Sequence, residues 1–214
     1  MEKGIVTAAT KVFFILIIMF STSVETKAQE IGIAPVKIFT DSYEMGNPVG
    51  IGFYYMQPIG HFGLRFEYVY AGRTRNYTGQ LSCGFMVYPP EYEDENIKSE
   101  PSYSSAAIGL YLNKFVSLAG IDLNVGAGVS FDKFECKRTA TVTGRQLTIT
   151  SDKKHGYYFA VSLSGDNIFK LPLKAELQFR LKDVEGTVDA TDIEQPFVDI
   201  EAVKEISLGI AYML

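Results

Sequence analysis

Apolar and polar side chains alternate with a period of two along most of the chain beyond residue 30, and no long window there keeps a helical period. In the clearest case Leu171, Leu173, Ala175, Leu177, Phe179 and Leu181 share one face, while Lys174, Glu176, Gln178, Arg180 and Lys182 share the other. At the end of the sequence Ile206, Leu208, Ile210, Tyr212 and Leu214 alternate with Ser207, Gly209, Ala211 and Met213. The same period runs through residues 49–56, 62–70, 106–112, 121–130 and 157–163. An eighth segment near 31–39 carries a weaker signal, because Pro35 interrupts it and the apolar phase slips there. Proline suits an edge or a bulge better than a continuous ladder. The pattern predicts an all-β chain of eight antiparallel strands.

The connections predict how those strands are arranged. Residues 57–61, 113–117 and 165–170 form short connections, whereas 71–103, 132–154 and 183–204 form long polar ones; 40–48 is intermediate. Short and long alternate strictly, as in an up-and-down barrel that has tight turns at one rim and longer loops at the other. Such a barrel can be soluble or embedded in a membrane. Three features favour lipid outside and polar groups inside. The non-apolar face is rich in small residues such as Gly50, Gly52, Ala107, Gly109, Gly126, Gly128, Ala160 and Ser162, which suit a crowded lumen. Its charged members, Arg65, Glu67, Asp122, Lys174, Glu176, Arg180 and Lys182, are of both signs and are expected to form a structural ion-pair network. The strands also have about the 9–11 residues that a tilted transmembrane strand needs. Closure follows, since lipid cannot satisfy an open edge. Tyr68, Tyr70, Phe131, Tyr157 and Tyr212 fall near strand ends, where aromatic girdles sit.

The first 28 residues read differently. Lys3 and Lys11 precede an apolar run over 12–20 and a polar stretch over 21–27, the order of a secretory signal. The run is shorter than the roughly 20 residues of a membrane-spanning helix. Cleavage is expected between Ala28 and Gln29, leaving one barrel domain over 29–214 that is secreted to the outer membrane. Removing Glu2, Glu25, Lys3, Lys11 and Lys27 takes one positive charge from the formal −5, so the mature chain carries −6. An acidic chain without a basic block gives no support for nucleic-acid binding.

Candidate chemistry is sparse. His61 and His155 fall at opposite rims, without a nucleophile and carboxylate in register, so no catalytic set is assigned. Between Asp183 and Glu201 lie seven carboxylates and no base, which read as a solvated acidic loop in preference to a calcium site. No metal site and no cofactor is expected. Cys83 and Cys136 both fall in long loops of an oxidising compartment, and a disulfide between them is expected to tie those loops together. Eight strands leave a lumen that side chains fill, so a plug is favoured over a channel.

The closing segment from Glu205 to Leu214, with Ile206, Leu208, Ile210, Tyr212 and Leu214 at alternate positions, resembles the terminal strand read by the outer-membrane insertion machinery. With the eight-strand layout, the mature chain resembles the small outer-membrane barrel family that includes OmpX and the membrane domain of OmpA, and the barrel domains abundant in Bacteroidota. It departs in ending on Leu214 where the family usually ends in Phe, and in lacking a following periplasmic domain. The resemblance implies a monomeric, non-enzymatic scaffold in contact with outer-membrane lipids and lipopolysaccharide, whose outer loops meet a host or partner surface. A narrow porin-like channel or small-ligand carrier is the alternative, and a lipid-modifying enzyme a more distant one.

Overall fold

The computed structural model of the chain describes residues 29–40, 46–82, 92–141, 146–150, 154–188 and 198–214. They form the strands β1 (Glu30–Thr40), β2 (Val49–Ile59), β3 (Phe62–Gly72), β4 (Arg75–Ser82), β5 (Tyr92–Leu118), β6 (Ile121–Ala140), β7 (Gln146–Thr150), β8 (Lys154–Gly165), β9 (Leu173–Val188) and β10 (Val198–Met213), with a 3-10 turn at Ile168–Lys170. Every pairing is antiparallel. Eight strands close into a barrel, because β1 pairs with both β2 and β10 while β5 pairs with both β3 and β6. Residues 1–28, expected to be a secretory signal, lie outside the described residues.

Pro35 sits inside β1 without breaking it. It stands opposite Ile51 of β2, while the ladder to β10 passes from Ile33–Ile210 to Val36–Ser207 in unchanged register. A residue without an N–H drops its own rung and leaves its neighbours in place. The phase slip has a separate cause: Ala34, Val36 and Ile38 all turn inward, and Lys37 faces out.

The two longest predicted loops are largely strand. β5 begins at Tyr92, well ahead of Ala106, and β6 runs on to Ala140. β4 and β7 pair onto these overhanging ends, so that β4, β5, β6 and β7 make a sheet projecting past the barrel rim. Lys98, Glu100, Lys133 and Glu135 share one face of this sheet, while the other mixes Ser99 and Arg138 with Ile97, Tyr103 and Phe134, so the barrel's apolar-outward phase is lost although the pleat continues. The acidic stretch is also partly strand: Asp183 and Glu185 lie on β9, Asp199 and Glu201 on β10, and Asp189, Asp192 and Glu194 lie outside the described residues.

At the opposite rim, the predicted turn at 113–117 is strand up to Leu118, with a register shift between Leu112 and Val116 and Lys114 at φ 56°. The turn itself is Ala119-Gly120, at φ 51° and 82°. Two positive φ values are the mark of a type I′ hairpin, whose twist matches the strands it joins.

Outward and inward positions separate by burial. On β9, Leu177 is 48% exposed between Glu176 and Gln178, each at 2%. Ile33, Phe53, Leu110, Phe159, Leu177, Leu208 and Ile210 belong to a continuous outward apolar belt. Tyr55, Gln57 and Phe66 share the outward parity but are buried, with the Tyr55 hydroxyl donating to Gln57 Oε1 at 2.6 Å.

Candidate functional site

The polar groups of the barrel converge on its waist. Arg65 on β3 donates to Glu67 Oε2 at 3.0 Å and to Glu176 Oε2 on β9 at 2.6 Å. Arg180 on β9 reaches Glu67 Oε2 at 2.5 Å and Glu205 Oε2 on β10 at 3.0 Å. Lys182 reaches Glu205 Oε1 at 2.7 Å and Asp132 Oδ1 on β6 at 3.2 Å. The result is an unbroken string of alternating sign, Glu176, Arg65, Glu67, Arg180, Glu205, Lys182 and Asp132, all buried. Each charge has a counter-charge in contact, which offsets the desolvation that would forbid it alone.

The expected network residues divide into two groups. Arg65, Glu67, Glu176, Arg180 and Lys182 meet in the string. Lys174 and Asp122 stand apart toward the short-turn rim, where Lys174 pairs with Glu30 at 3.0 Å and Asp122 with Lys114 at 3.3 Å. The Ser117 hydroxyl also donates to Asp122. Sequence reasoning missed Glu205, Asp132 and Glu30. For two of them the signal was present in the parity: Glu205, at the start of the closing segment, continues the inward phase of Ser207 and Gly209, and Asp132, in a segment read as loop, continues that of Ser130 and Gly128.

Tyrosines carry the string on their faces. The Arg65 guanidinium lies 3.8 Å from the Tyr54 ring centroid and 5.4 Å from that of Tyr111, and Arg180 lies 4.6 Å from that of Tyr158. These rings need room, and glycines one or two strands away supply it. A Cβ on Gly32 would stand 2.2 Å from Tyr54 Cζ, one on Gly126 2.6 Å from Tyr111 Cδ1, and one on Gly109 1.9 Å from the Tyr158 hydroxyl oxygen. Glycine is unfavourable in a strand by propensity, so its presence marks the close approach of something larger. Gly109→Val is therefore expected to destabilise the folded protein by about 1–3 kcal/mol, as overpacking does, despite valine's better strand propensity. Urea titration scored by gel mobility measures this, and Tyr158→Ala in the same chain is expected to recover part of the loss.

Toward the loop rim the lumen turns apolar. Val36, Ile38, Val69, Ala71, Tyr103, Phe134, Val184 and Val203 form one buried cluster, in which the Tyr103 and Phe134 rings lie 5.0 Å apart. The Tyr103 hydroxyl bridges the two layers, donating to Asp132 at 2.5 Å while accepting from Lys182 at 2.7 Å. Toward the short-turn rim Asn124 donates to Ser162 at 3.3 Å and to Ser164 at 3.0 Å.

The remaining candidates lie away from this centre. His61 is exposed in the β2–β3 turn, and exposed His155 packs edge-on against Phe131, with centroids 5.4 Å apart, on the other half of the barrel. Among the described residues no group of His, Cys, Asp or Glu is placed to hold a metal ion. Cys136 lies on strand β6, not in a loop; it is buried opposite Pro101 and Ile149, with Sγ 3.3 Å from Ser99 Oγ. Cys83 lies outside the described residues. Ile206, Leu208, Ile210 and Tyr212 face outward on β10, and the Leu214 N–H donates to the Gln29 carbonyl at 2.8 Å. On the projecting sheet Lys98 donates to Glu100 at 2.7 Å, which holds that carboxyl below its ordinary range.

No protein-family model matches this sequence, and no curated protein matches it. Solved structures do. The chain is similar to a major outer membrane protein of Thermus thermophilus, with a TM-score of 0.57 at 12% identity over 88% of this chain and 100% of that one. It is also similar to Ail, the attachment invasion locus protein of Yersinia pestis, with a TM-score of 0.50 at 15% identity over 87% of this chain and 97% of that one. At such identities the likeness is one of fold. The chain has the fold of the small outer-membrane β-barrel proteins.

Proposed function

We propose that this chain is a closed, non-conducting and non-enzymatic barrel of the outer membrane that holds a projecting sheet at the cell surface. The observation that carries this reading is the lumen: a buried string of ion pairs lies beneath a buried apolar layer, while the outer wall is apolar. A lumen packed in this way leaves no continuous like-charged path for ions, which weighs against a porin-like channel or a small-ligand carrier. The widely separated histidines weigh against lipid-modifying catalysis. The chain reaches its site after removal of residues 1–28, and the insertion machinery reads Ile206, Leu208, Ile210, Tyr212 and Leu214 on the last strand. Full closure satisfies the barrel's strand edges within one chain, which supports a monomer.

Recognition belongs to β4, the overhanging parts of β5 and β6, and β7. Ail was solved with the heparin analogue sucrose octasulfate, a polyanion. Here the projecting sheet carries internally paired charges, Lys98 with Glu100 and Lys133 with Glu135. A mixed-sign surface suits a host or partner protein better than a uniformly anionic chain, while contact with lipopolysaccharide falls to the barrel wall below it.

Two measurements test the barrel. The refolded chain is expected to migrate differently on a detergent gel before and after boiling, as a detergent-resistant barrel does; an identical mobility together with a soluble location would refute the reading. In planar bilayers no stable large conductance is expected, and its appearance would establish a channel instead.

A further inference from the structure

The outward face of the β1–β10 seam changes character at one level. From Tyr212 through Ile210, Leu208 and Ile206 it is apolar, and the next outward residue is Lys204. On β1 the outward series Ile31, Ile33, Pro35 is followed by Lys37 and Phe39. In register Lys204 stands opposite Phe39 and Lys37 opposite Ile206, so the two lysines are diagonal neighbours on one face. Lys37 Nζ lies 5.1 Å from the Phe39 ring centroid.

Ten residues separate Leu214 from Lys204. At about 3.4 Å per residue and a tilt of about 40° they climb about 26 Å along the barrel axis, the height of the apolar band of an outer-membrane barrel. The pair therefore stands at the outer edge of the hydrocarbon, where a lysine lays its methylenes on the apolar wall and lifts its ammonium into the headgroups. Both lysines are exposed, and among the described residues neither makes an ion pair. The outward lysines on the far side of the barrel differ, since Lys98 and Lys133 are neutralised by Glu100 and Glu135 on their own strands. The nearest carboxylate by register is Asp183, opposite Ala202, and it is not paired with Lys204.

We propose that Lys37 and Lys204, with Phe39 between them, form a binding site for the phosphate of an outer-leaflet lipid headgroup. Two ammonium groups offer up to six N–H donors to one phosphate. The belt formed by Ile33, Ile206 and Leu208 directly beneath receives the acyl chains of the same lipid. This inference rests on the barrel being embedded in an outer membrane.

The test is native mass spectrometry of the detergent-purified folded barrel, offered diphosphoryl lipid A or its dephosphorylated form. The wild-type chain is expected to retain the diphosphoryl form at least about tenfold better, since a lysine near a charged surface contributes about fivefold. K37Q/K204Q is expected to lose that preference and K98Q/K133Q to keep it. Equal retention of the two lipids by the wild type, or an undiminished preference in K37Q/K204Q, would overturn the site. Boiling-dependent mobility is measured on every sample. Its absence in the wild type would defeat the barrel reading itself, whereas its presence without a phosphate preference would defeat only this inference. If K37Q/K204Q alone fails to fold, K37Q and K204Q separately are each expected to lose about fivefold, and no loss in either would overturn the site.

Discussion

Replacing Arg180 by methionine is expected to lower the unfolding free energy of the lipid-reconstituted barrel by about 3–5 kcal/mol, the cost of removing one partner from a buried charge pair. Arg180 is 1% exposed and joins Glu67 to Glu205, so its loss cuts the string of charges at its centre. Glu67 would keep Arg65, and Glu205 would keep Lys182. Each carboxylate would nevertheless lose its second counter-charge in a place that water does not reach. The Tyr158 ring would also lose the cation on its face. The chain contains no tryptophan, so unfolding is best followed in urea by gel mobility or far-ultraviolet circular dichroism. Arg180→Lys is expected to fall between the two, because an ammonium cannot reproduce the planar fork that spans both carboxylates. A methionine variant within about 1 kcal/mol of wild type would show that the string contributes little.

The second large effect is expected on the outside. Leu177 lies at the centre of the outward row formed by Leu173, Ala175, Leu177, Phe179 and Leu181. Leu177→Arg is expected to cost about 2–4 kcal/mol in bilayers if this row faces the middle of the hydrocarbon. On a water-facing wall the same substitution would stay within about 0.5 kcal/mol. The measurement thus separates an embedded barrel from a soluble one of identical topology. A companion variant at the rim, Tyr212→Arg, is expected to cost less than Leu177→Arg, because the penalty falls toward the interface.

Most of the barrel was legible in the sequence for a local reason. A side chain's face depends only on its place in the pleat, so Glu176, Gln178, Arg180 and Lys182 could be set inside and Leu177, Phe179 and Leu181 outside without knowing any neighbour. The rule failed wherever the two faces do not divide cleanly into apolar outside and polar inside. Where the outward face is polar and the other mixed, it concealed the overhanging ends of β5 and β6 together with β4 and β7. Where both faces are apolar, it placed β1 near 31–39 but left its phase unassigned, because Val36 and Ile38 turn inward to seal the lumen. It also ended β6 before Asp132, leaving that carboxylate of the string in a supposed loop, and it read Glu205 only as the start of the closing segment, without an inward role.

The ion pairs themselves were beyond reach of any local pattern. Arg65 meets Glu176 across 111 residues of sequence, and Arg180 meets Glu67 across 113. Which inward charge opposes which depends on the shear and tilt with which eight strands close, a property of the ring as a whole. The sequence by itself determined that the inward face holds charges of both signs among small residues, because that is written in the period-two partition. Only the tertiary structure decided that these charges form a single alternating string, that glycines clear space for Tyr54, Tyr111 and Tyr158 beside it, and that an apolar layer closes it off from the loop rim. Contacts across a lumen are set by closure, and closure is not a local property of the chain.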